Sequence, residues 1–377
     1  MKKSAFYFLI FTSLTLIFIS PFLYSQKKAF LYRKCPYIQK DSLNLKKQKM
    51  ELAISAVDLT KYLPNNFVKD ATVDYTECIQ RGFDENKIVK MPNFQLLVNQ
   101  KGLNVKSGSR IIFQKESSIV MKPNSLSNYG ILKIFNVSDI KIYSPVIIGD
   151  RNTHIGDKGE WGMGLYILGA KNIQIINPII NNCWGDGIYI GKGNNGGCTN
   201  VKVVNGVIDY CRRNGISITD GDSIEIINPI ISNTQGTLPM CGIDIEPNNN
   251  KALEDNIHIL NPKTFNNSSA GIEIYLKYLF GQEKKNVDIK IYNHIDNGSD
   301  IGLSLGGCDD VNKLYQPLSG SIDIIKPQWK NNRVSISVDK NTIGPKINFE
   351  SMRIENTNEN FERVRIDLLK KENVFVK

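Results

Sequence analysis

The heptapeptide Trp161-Gly-Met-Gly-Leu-Tyr-Ile167 returns 23 residues later as Trp184-Gly-Asp-Gly-Ile-Tyr-Ile190. Its core, a glycine followed by apolar-x-apolar, recurs as Gly215-Ile-Ser-Ile218, Gly242-Ile-Asp-Ile245, Gly271-Ile-Glu-Ile274 and Gly302-Leu-Ser-Leu305. The successive intervals of 23, 28, 27, 29 and 31 residues describe a solenoid, because a unit this short cannot bury its apolar face without a neighbour.

Each unit carries a second alternating run: Ile173-Gln-Ile175, Val201-Lys-Val203, Ile224-Glu-Ile226, Ile257-His-Ile259, Val287-Asp-Ile289 and Ile322-Asp-Ile324. Period-two alternation predicts strands with one buried face. A third apolar pair follows a corner, as in Asn177-Pro-Ile-Ile180 and Asn228-Pro-Ile-Ile231, with Asn261-Pro262 and Lys326-Pro327 in the equivalent places. Asparagine suits such a corner because it tolerates the left-handed backbone and its amide can bond to the asparagine one coil away. Three short strands per coil predict an all-β fold, a single-stranded right-handed parallel β-helix with an N-terminal helical cap. The Leu-x-x-Leu-x-Leu frame and helical return of a leucine-rich repeat are absent.

A chain of 377 residues with 41% apolar content can bury one elongated core. Its formal net charge of +10 is concentrated at the start, where Lys2, Lys3, Lys27, Lys28, Arg33, Lys34, Lys40, Lys46, Lys47 and Lys49 face only Asp41 in the first fifty residues. The rest is close to neutral, so global charge argues for neither nucleic acid nor a polyanion as partner. Residues 1–25 read as a secretory signal peptide, or as a membrane anchor if uncleaved, which predicts a secreted, periplasmic or cell-envelope protein. Residues 26–50 read as a flexible basic linker, 51–125 as N-terminal cap and first coils, 126–354 as β-helix repeats, and 355–377 as the C-terminal cap. The spacing of Val73, Cys78, Ile79 and Phe83 predicts a short amphipathic helix in the first cap. Among seven cysteines, Cys183 and Cys211 each precede their repeat glycine by four residues and should stack as buried thiols, with a disulfide as the alternative.

Asp74-Tyr-Thr-Glu-Cys-Ile-Gln80 followed by Val89-Lys-Met-Pro-Asn-Phe94 resembles the opening segment of the pectate-lyase-like β-helix superfamily. In that superfamily an Asp-Thr-x-x-Ile-Gln helix precedes a Val-x-x-Pro-x-Gly-x-Tyr strand; here Pro92 is kept and Phe94 stands in the place of the glycine. The resemblance runs through the repeats to about Ile354 and implies a fold, not a reaction, because this scaffold carries lyases, hydrolases, epimerases and non-catalytic binders. The polygalacturonase branch has Asn-Thr-Asp, Asp-Asp and Gly-His-Gly on successive strands. At those places this chain has Trp184-Gly-Asp186, Arg213-Asn214 and Met240-Cys241-Gly242, so only Asp186 matches.

Strand alternation converts the repeats into a surface. If the residue after each glycine points inward, the next forms an outward ladder of Tyr166, Tyr189, Ser217, Asp244, Glu273 and Ser304. Glu246 lies two residues beyond Asp244, and Asp186 enters from the turn before its strand. Strand spacing predicts about 5 Å between Asp244 and Glu273, about 7 Å between Asp244 and Glu246, and about 10 Å between Asp186 and Asp244. Glycosidases use carboxyl pairs at about 5 Å or about 6.5 to 9.5 Å. Asp186, Asp244, Glu246 and Glu273 are therefore the candidate catalytic residues.

Candidate substrate-binding residues are Glu160, Trp161, Trp184, Tyr189, Arg212, Arg213, Arg151 and His154. Trp161, Trp184 and Arg212 each precede a repeat glycine by three residues, which predicts a ladder of two indoles and a guanidinium. Such a ladder is either a sugar platform with a clamp for an anionic group, or a filled corner capped by a cation–π contact. Arg151 and His154, in the loop before Glu160, are placed at the groove mouth, with a solvated loop residue as the alternative for His154. Asp220-Gly-Asp222 offers two carboxylates, a thin set for calcium, so no metal ligand is assigned.

The resulting expectation is an extracytoplasmic carbohydrate-active protein that cleaves glycosidic bonds of a polysaccharide or oligosaccharide by acid/base catalysis. Asp244 with Glu246 or Asp186 would be the acid/base pair, and Glu273 would tune a pKa by like charge. A polysaccharide lyase or epimerase on uronic-acid polymers, and a non-catalytic glycan-binding surface protein, stay open as alternatives. Hydrolysis needs no cofactor, whereas a lyase would bring in calcium.

Overall fold

The computed structural model describes residues 30–39, 43–308, 312, 314–339, 343–356 and 361–377. Residues 1–25, read above as signal or anchor, lie outside them. Among the described residues no helix is long and apolar enough to cross a membrane.

From Val57 onward the chain winds a right-handed parallel β-helix whose strands stack into three sheets of nine, twelve and eleven strands among the described residues. The first sheet holds the glycine-led strands, among them Trp161–Leu168, Ile188–Gly191, Ile216–Ile218, Ile243–Ile245, Ala270–Tyr275 and Ile301–Gly306. Its register stacks Leu165, Ile188, Ile216, Ile243, Ile272 and Leu303 directly over one another, and all six are buried. Each such side chain contributes about 1.5 to 3 kcal/mol of burial. The repeating glycine is required by coil spacing: a Cβ on Gly215 or Gly242 would lie 2.5 Å from the carbonyl oxygen of the glycine one coil further on.

The corner between the second and third sheets is built as the Asn-Pro pattern predicts. Asn177, Asn205, Asn228, Asn261 and Asn293 all have φ between 51° and 57°. Their amides form a continuous ladder, Asn205 to Asn177 at 3.0 Å, Asn228 to Asn205 at 3.0 Å, Asn261 to Asn228 at 2.9 Å and Asn293 to Asn261 at 2.8 Å. Cys183 and Cys211 are buried free thiols.

The cap helix spans Thr76–Glu85 and buries Ile79 and Phe83. Val73 is exposed in the preceding strand Asp70–Asp74, because Asp74 accepts bonds from the Thr76 amide and hydroxyl and so starts the helix after it. At the other end the helix Phe361–Leu369 seats Val364 and Leu368, and Val374–Val376 adds a last strand to the second sheet.

The linker expected over residues 26–50 has structure where it is described. The helix Leu43–Ser55 places Leu52 and Ala53 against Ile112, Tyr143 and Ile176. Upstream of it, the Tyr32 hydroxyl donates to Asp209 at 2.9 Å, the Arg33 backbone exchanges two bonds with Asn233, and the Tyr37 ring meets Phe265 edge-on. The segment thus lies along the outside of the third sheet. Isolated aromatic side chains hold it, and these leave no periodicity in the sequence.

Candidate functional site

The outward ladder of the first sheet pairs in the expected register: Tyr166 with Tyr189, Tyr189 with Ser217, Ser217 with Asp244, Asp244 with Glu273, and Glu273 with Ser304. Asp244 stands between the buried Ile243 and Ile245, so alternation turns its carboxyl to the opposite face. It is nevertheless only 1% exposed, covered by its neighbours on that wall. Its Oδ2 accepts from Asn214 Nδ2 at 2.9 Å, while Oδ1 is buried without a hydrogen-bond partner. Burial, reinforced by Glu246 and Glu273, pushes the Asp244 carboxyl well above the usual carboxylate range.

Asp186 lies closer to Asp244 than strand counting predicts. It is fully buried, and its carboxylate reaches one coil onward to Ser217 Oγ at 2.8 Å, the residue paired with Asp244. It also accepts from the Asn214 amide at 2.9 Å and from Arg213 Nη1 at 3.1 Å. Burial raises its pKa, and Arg213, Ser217 and Asn214 pull it back. Glu246 is half-buried; burial raises its carboxyl, Arg213 opposes the rise, and Glu273, Asp186 and Glu160 add to it. Glu273, also half-buried, accepts from Ser304 Oγ at 3.1 Å and from Cys241 Sγ at 3.3 Å. All four acids thus share one electrostatic neighbourhood.

Arg213 occupies its centre. Its side chain is 14% exposed, bonded to Asp186 and 3.9 Å from Glu160. Burial opposes its charge, but Asp186, Asp244, Glu160 and Glu246 outweigh that cost and hold the guanidinium protonated. Its Nη1 is committed to Asp186, while its Nε is buried without a hydrogen-bond partner among the described residues.

The expected ladder of two indoles does not form. Trp184 is 7% exposed, with the His154 ring stacked at 3.9 Å and the Arg212 guanidinium at 3.8 Å from its ring centre. Two groups that close cannot share one face, so both faces of this indole are covered and the filled-corner reading holds for it. Arg212 also donates to the Gly159 carbonyl at 2.8 Å. Trp161 stays outside this stack and is 43% exposed.

His154 is not a solvated loop residue. Its side chain is buried, stacked between Tyr129 and Trp184, with Nδ1 2.9 Å from Asp150. Arg151 does not reach the groove mouth: it donates to the carbonyls of Tyr210 and Cys211 at 2.8 and 3.0 Å and lies 3.6 Å over the Tyr210 ring. The Tyr189 hydroxyl meets Thr219 and Asn248 at 3.0 and 3.3 Å, and its ring continues an edge-to-face series through Tyr166 to Phe135. One end of the wall is therefore aromatic and the other acidic.

Sequence reasoning missed Asn214 as a site residue. Fully buried, it bridges Asp186 and Asp244 and also bonds Ser217 Oγ and the Cys241 amide. Its position directly before Gly215, as Asp186 is before Gly187, was the signal that could have found it. The network that ties the Asp150 carboxyl to Tyr129, Asn124 and His154 was not legible, because it joins a loop to residues outside the glycine-led pattern.

No family model matches the chain. Over 96 residues it is 31% identical to the SPbeta prophage-derived uncharacterized protein YorA of Bacillus subtilis (strain 168), a match that covers 24% of this chain and 16% of that protein. Solved structures with the same fold include PfbA, a surface adhesin of Streptococcus pneumoniae, with TM-score 0.59 and 16% identity over 80% of each chain. The polygalacturonase from Erwinia carotovora ssp. carotovora aligns with TM-score 0.56 and 11% identity over 82% of this chain and 93% of that one. The mannuronan C-5 epimerase AlgE4 A-module of Azotobacter vinelandii aligns with TM-score 0.52 and 12% identity over 85% and 99%. The fold is therefore that of the pectate-lyase-like parallel β-helices, and at these identities the fold is what they share.

Proposed function

We propose that this is a carbohydrate-active protein that hydrolyses a glycosidic bond of a polysaccharide on the outer wall of the first sheet. The observation that carries the reading is the gathering of Glu246, Glu273, Asp244 and Asp186 onto that wall, with the carboxyls of Glu246 and Asp244 held above their ordinary range by burial. Glu246 and Glu273 are the half-exposed pair and so are the catalytic residues. Glu246, its carboxyl raised by burial, is the general acid toward the departing oxygen, and Glu273 serves the opposite side of the bond. Asp244 is a positioning residue behind them: covered from solvent, it is tied through Asn214 to Asp186 and fixes the floor on which Glu246 and Glu273 stand. Arg213 and Asn214 hold Asp186 as the counter-charge beneath. Trp161 is the exposed ring that can stack on a sugar face. The pattern of residues 1–25 supports an extracytoplasmic setting, where such polymers are met.

The test is Glu246→Gln measured for both turnover and binding. Hydrolysis predicts loss of new reducing ends by about 100-fold or more with affinity retained. A wild-type protein that binds glycans and never releases reducing ends is a binding module instead. A rise in ultraviolet absorbance on uronate polymers, the mark of an unsaturated product, identifies a lyase.

A further inference from the structure

We propose that residues 32–37 are a strap that fixes the spacing of the three coils carrying Ser217, Asp244 and Glu273, so that its release loosens that wall as a unit. The inference goes beyond the functional reading above, and contacts within the fold carry it. The segment crosses three successive strands of the third sheet, Val207–Asp209, Ile230–Ser232 and Lys263–Phe265, which pair in register. Each of them leads to the next glycine-led strand of the first sheet. Those strands are Ile216–Ile218, Ile243–Ile245 and Ala270–Tyr275, the three that set Ser217, Asp244 and Glu273 side by side.

The grip is specific at each crossing. The Tyr32 hydroxyl donates to Asp209 at 2.9 Å, and its ring meets Tyr210 edge-on at 5.4 Å. The Cys35 thiol meets the Ser232 side chain. The Tyr37 ring meets Phe265 at 6.5 Å and has the Lys263 ammonium 5.3 Å from its centre. Asn233 joins all three coils. Its side chain can make four hydrogen bonds, and all four are made. It accepts from the Arg33 amide at 3.2 Å and from Asn266 at 2.7 Å, and donates to the Arg33 carbonyl at 2.9 Å and to Asp209 at 2.8 Å. Half of these bonds go to the strap, and the other half go to the coils on either side.

Burial marks the strap's path. Strand alternation turns Ile230 and Ser232 to the outside of the third sheet, yet they are 2% and 1% exposed. Ile179, two paired strands earlier in the position of Ile230, is 46% exposed. The stability of a solenoid is close to a sum of contacts between neighbours, so a coil can loosen against one neighbour at a time. A strap across three coils removes that freedom, because opening any one of them breaks contacts that also hold the other two. Carboxyl separation decides what a glycosidase wall can do, so the spacing that the strap holds is the one on which Asp244 and Glu273 depend.

Hydrogen exchange read by mass spectrometry on the full chain tests the strap, comparing Tyr32→Ala/Tyr37→Ala with the wild type once circular dichroism shows the variant folded. Amides of Ile216–Ile218, Ile243–Ile245 and Ala270–Tyr275 should exchange about tenfold faster, from the loss of one hydroxyl bond and two ring contacts. Trp161–Leu168, outside the strap's path, should keep its rate. Unchanged rates in the three wall strands, faster exchange confined to the third sheet, or a rise shared equally by Trp161–Leu168 each overturn the inference. If the double variant does not fold, Tyr32→Phe keeps the ring and removes the bond to Asp209. It should speed the same three strands by about threefold, and unchanged rates there overturn the inference as well. Exchange is read without a glycan, so a protein that cleaves nothing leaves the strap standing, and a failed strap leaves the hydrolysis reading untouched.

Discussion

Arg213→Met separates an arginine that grips substrate from one that holds the protein together. In the folded chain the guanidinium bonds Asp186 at 3.1 Å, and Asp186 is fully buried. Removing one partner of a buried ion pair typically costs about 3 to 5 kcal/mol, because the other charge is left in a poor solvent. Asp186 keeps its bonds from Ser217 and the Asn214 amide, so the expected loss is near the lower end, about 3 kcal/mol. The sign of the pH dependence follows from the same group. Burial already raises the Asp186 carboxyl, and loss of Arg213 raises it further. A carboxyl whose folded pKa exceeds its unfolded one contributes stability below the unfolded pKa and loses it as pH rises. The deficit of Arg213→Met should therefore be largest at neutral pH and shrink as pH falls to the ordinary aspartate range, about pH 4, by which point a carboxyl held above that range has taken up its proton. Urea denaturation at the two pH values measures it, and Arg213→Met/Asp186→Asn should recover most of the loss at neutral pH. An unchanged midpoint for Arg213→Met at neutral pH would refute the internal role and return this arginine to the substrate.

Three further perturbations have expected outcomes. Asp244→Asn should remove turnover yet stabilise the protein at neutral pH, since the amide replaces a buried carboxyl whose raised pKa costs stability as pH rises; denaturation midpoints paired with reducing-end assays check this. Asn205→Ala should cost about 3 kcal/mol, from two ladder hydrogen bonds and a left-handed φ of 57°, whereas Asn205→Gly should cost about 2 kcal/mol because it relieves the backbone; equal losses would mean that φ contributes nothing. Asp296, buried among Ser299, Thr264 and Asn332, has its carboxyl pushed up to about 6 by burial. Its contribution, up to about 3 kcal/mol, should be present below about pH 4 and lost as pH rises through about 6, and Asp296→Asn should flatten that segment of the stability profile.

Alternation and the glycine period were legible because they are local. Gly215 and Gly242 recur because the carbonyl of the next coil leaves no room for a Cβ, and that constraint repeats with each turn. The register of Asp244 over Ser217 and under Glu273 could be counted from the same period. Side-chain reach could not be counted. Asp186 bends to the neighbouring coil because Ser217, Asn214 and Arg213 all offer it donors there. Trp184 lost its expected partner because an imidazole from a loop thirty residues upstream fills the face that Trp161 was expected to cover.

What this sequence determined by itself was the coil: where each turn falls, which residues face the core, and which acids lie on one wall. A repeat states those things many times over, since every unit obeys the same backbone spacing. What only the tertiary structure decided was which wall residues meet solvent and which are consumed by one another. That depends on loops of unequal length and on donors arriving from other coils, as when Asn214 covers Asp244 or His154 covers Trp184. Such contacts occur once, so no pattern along the chain announces them.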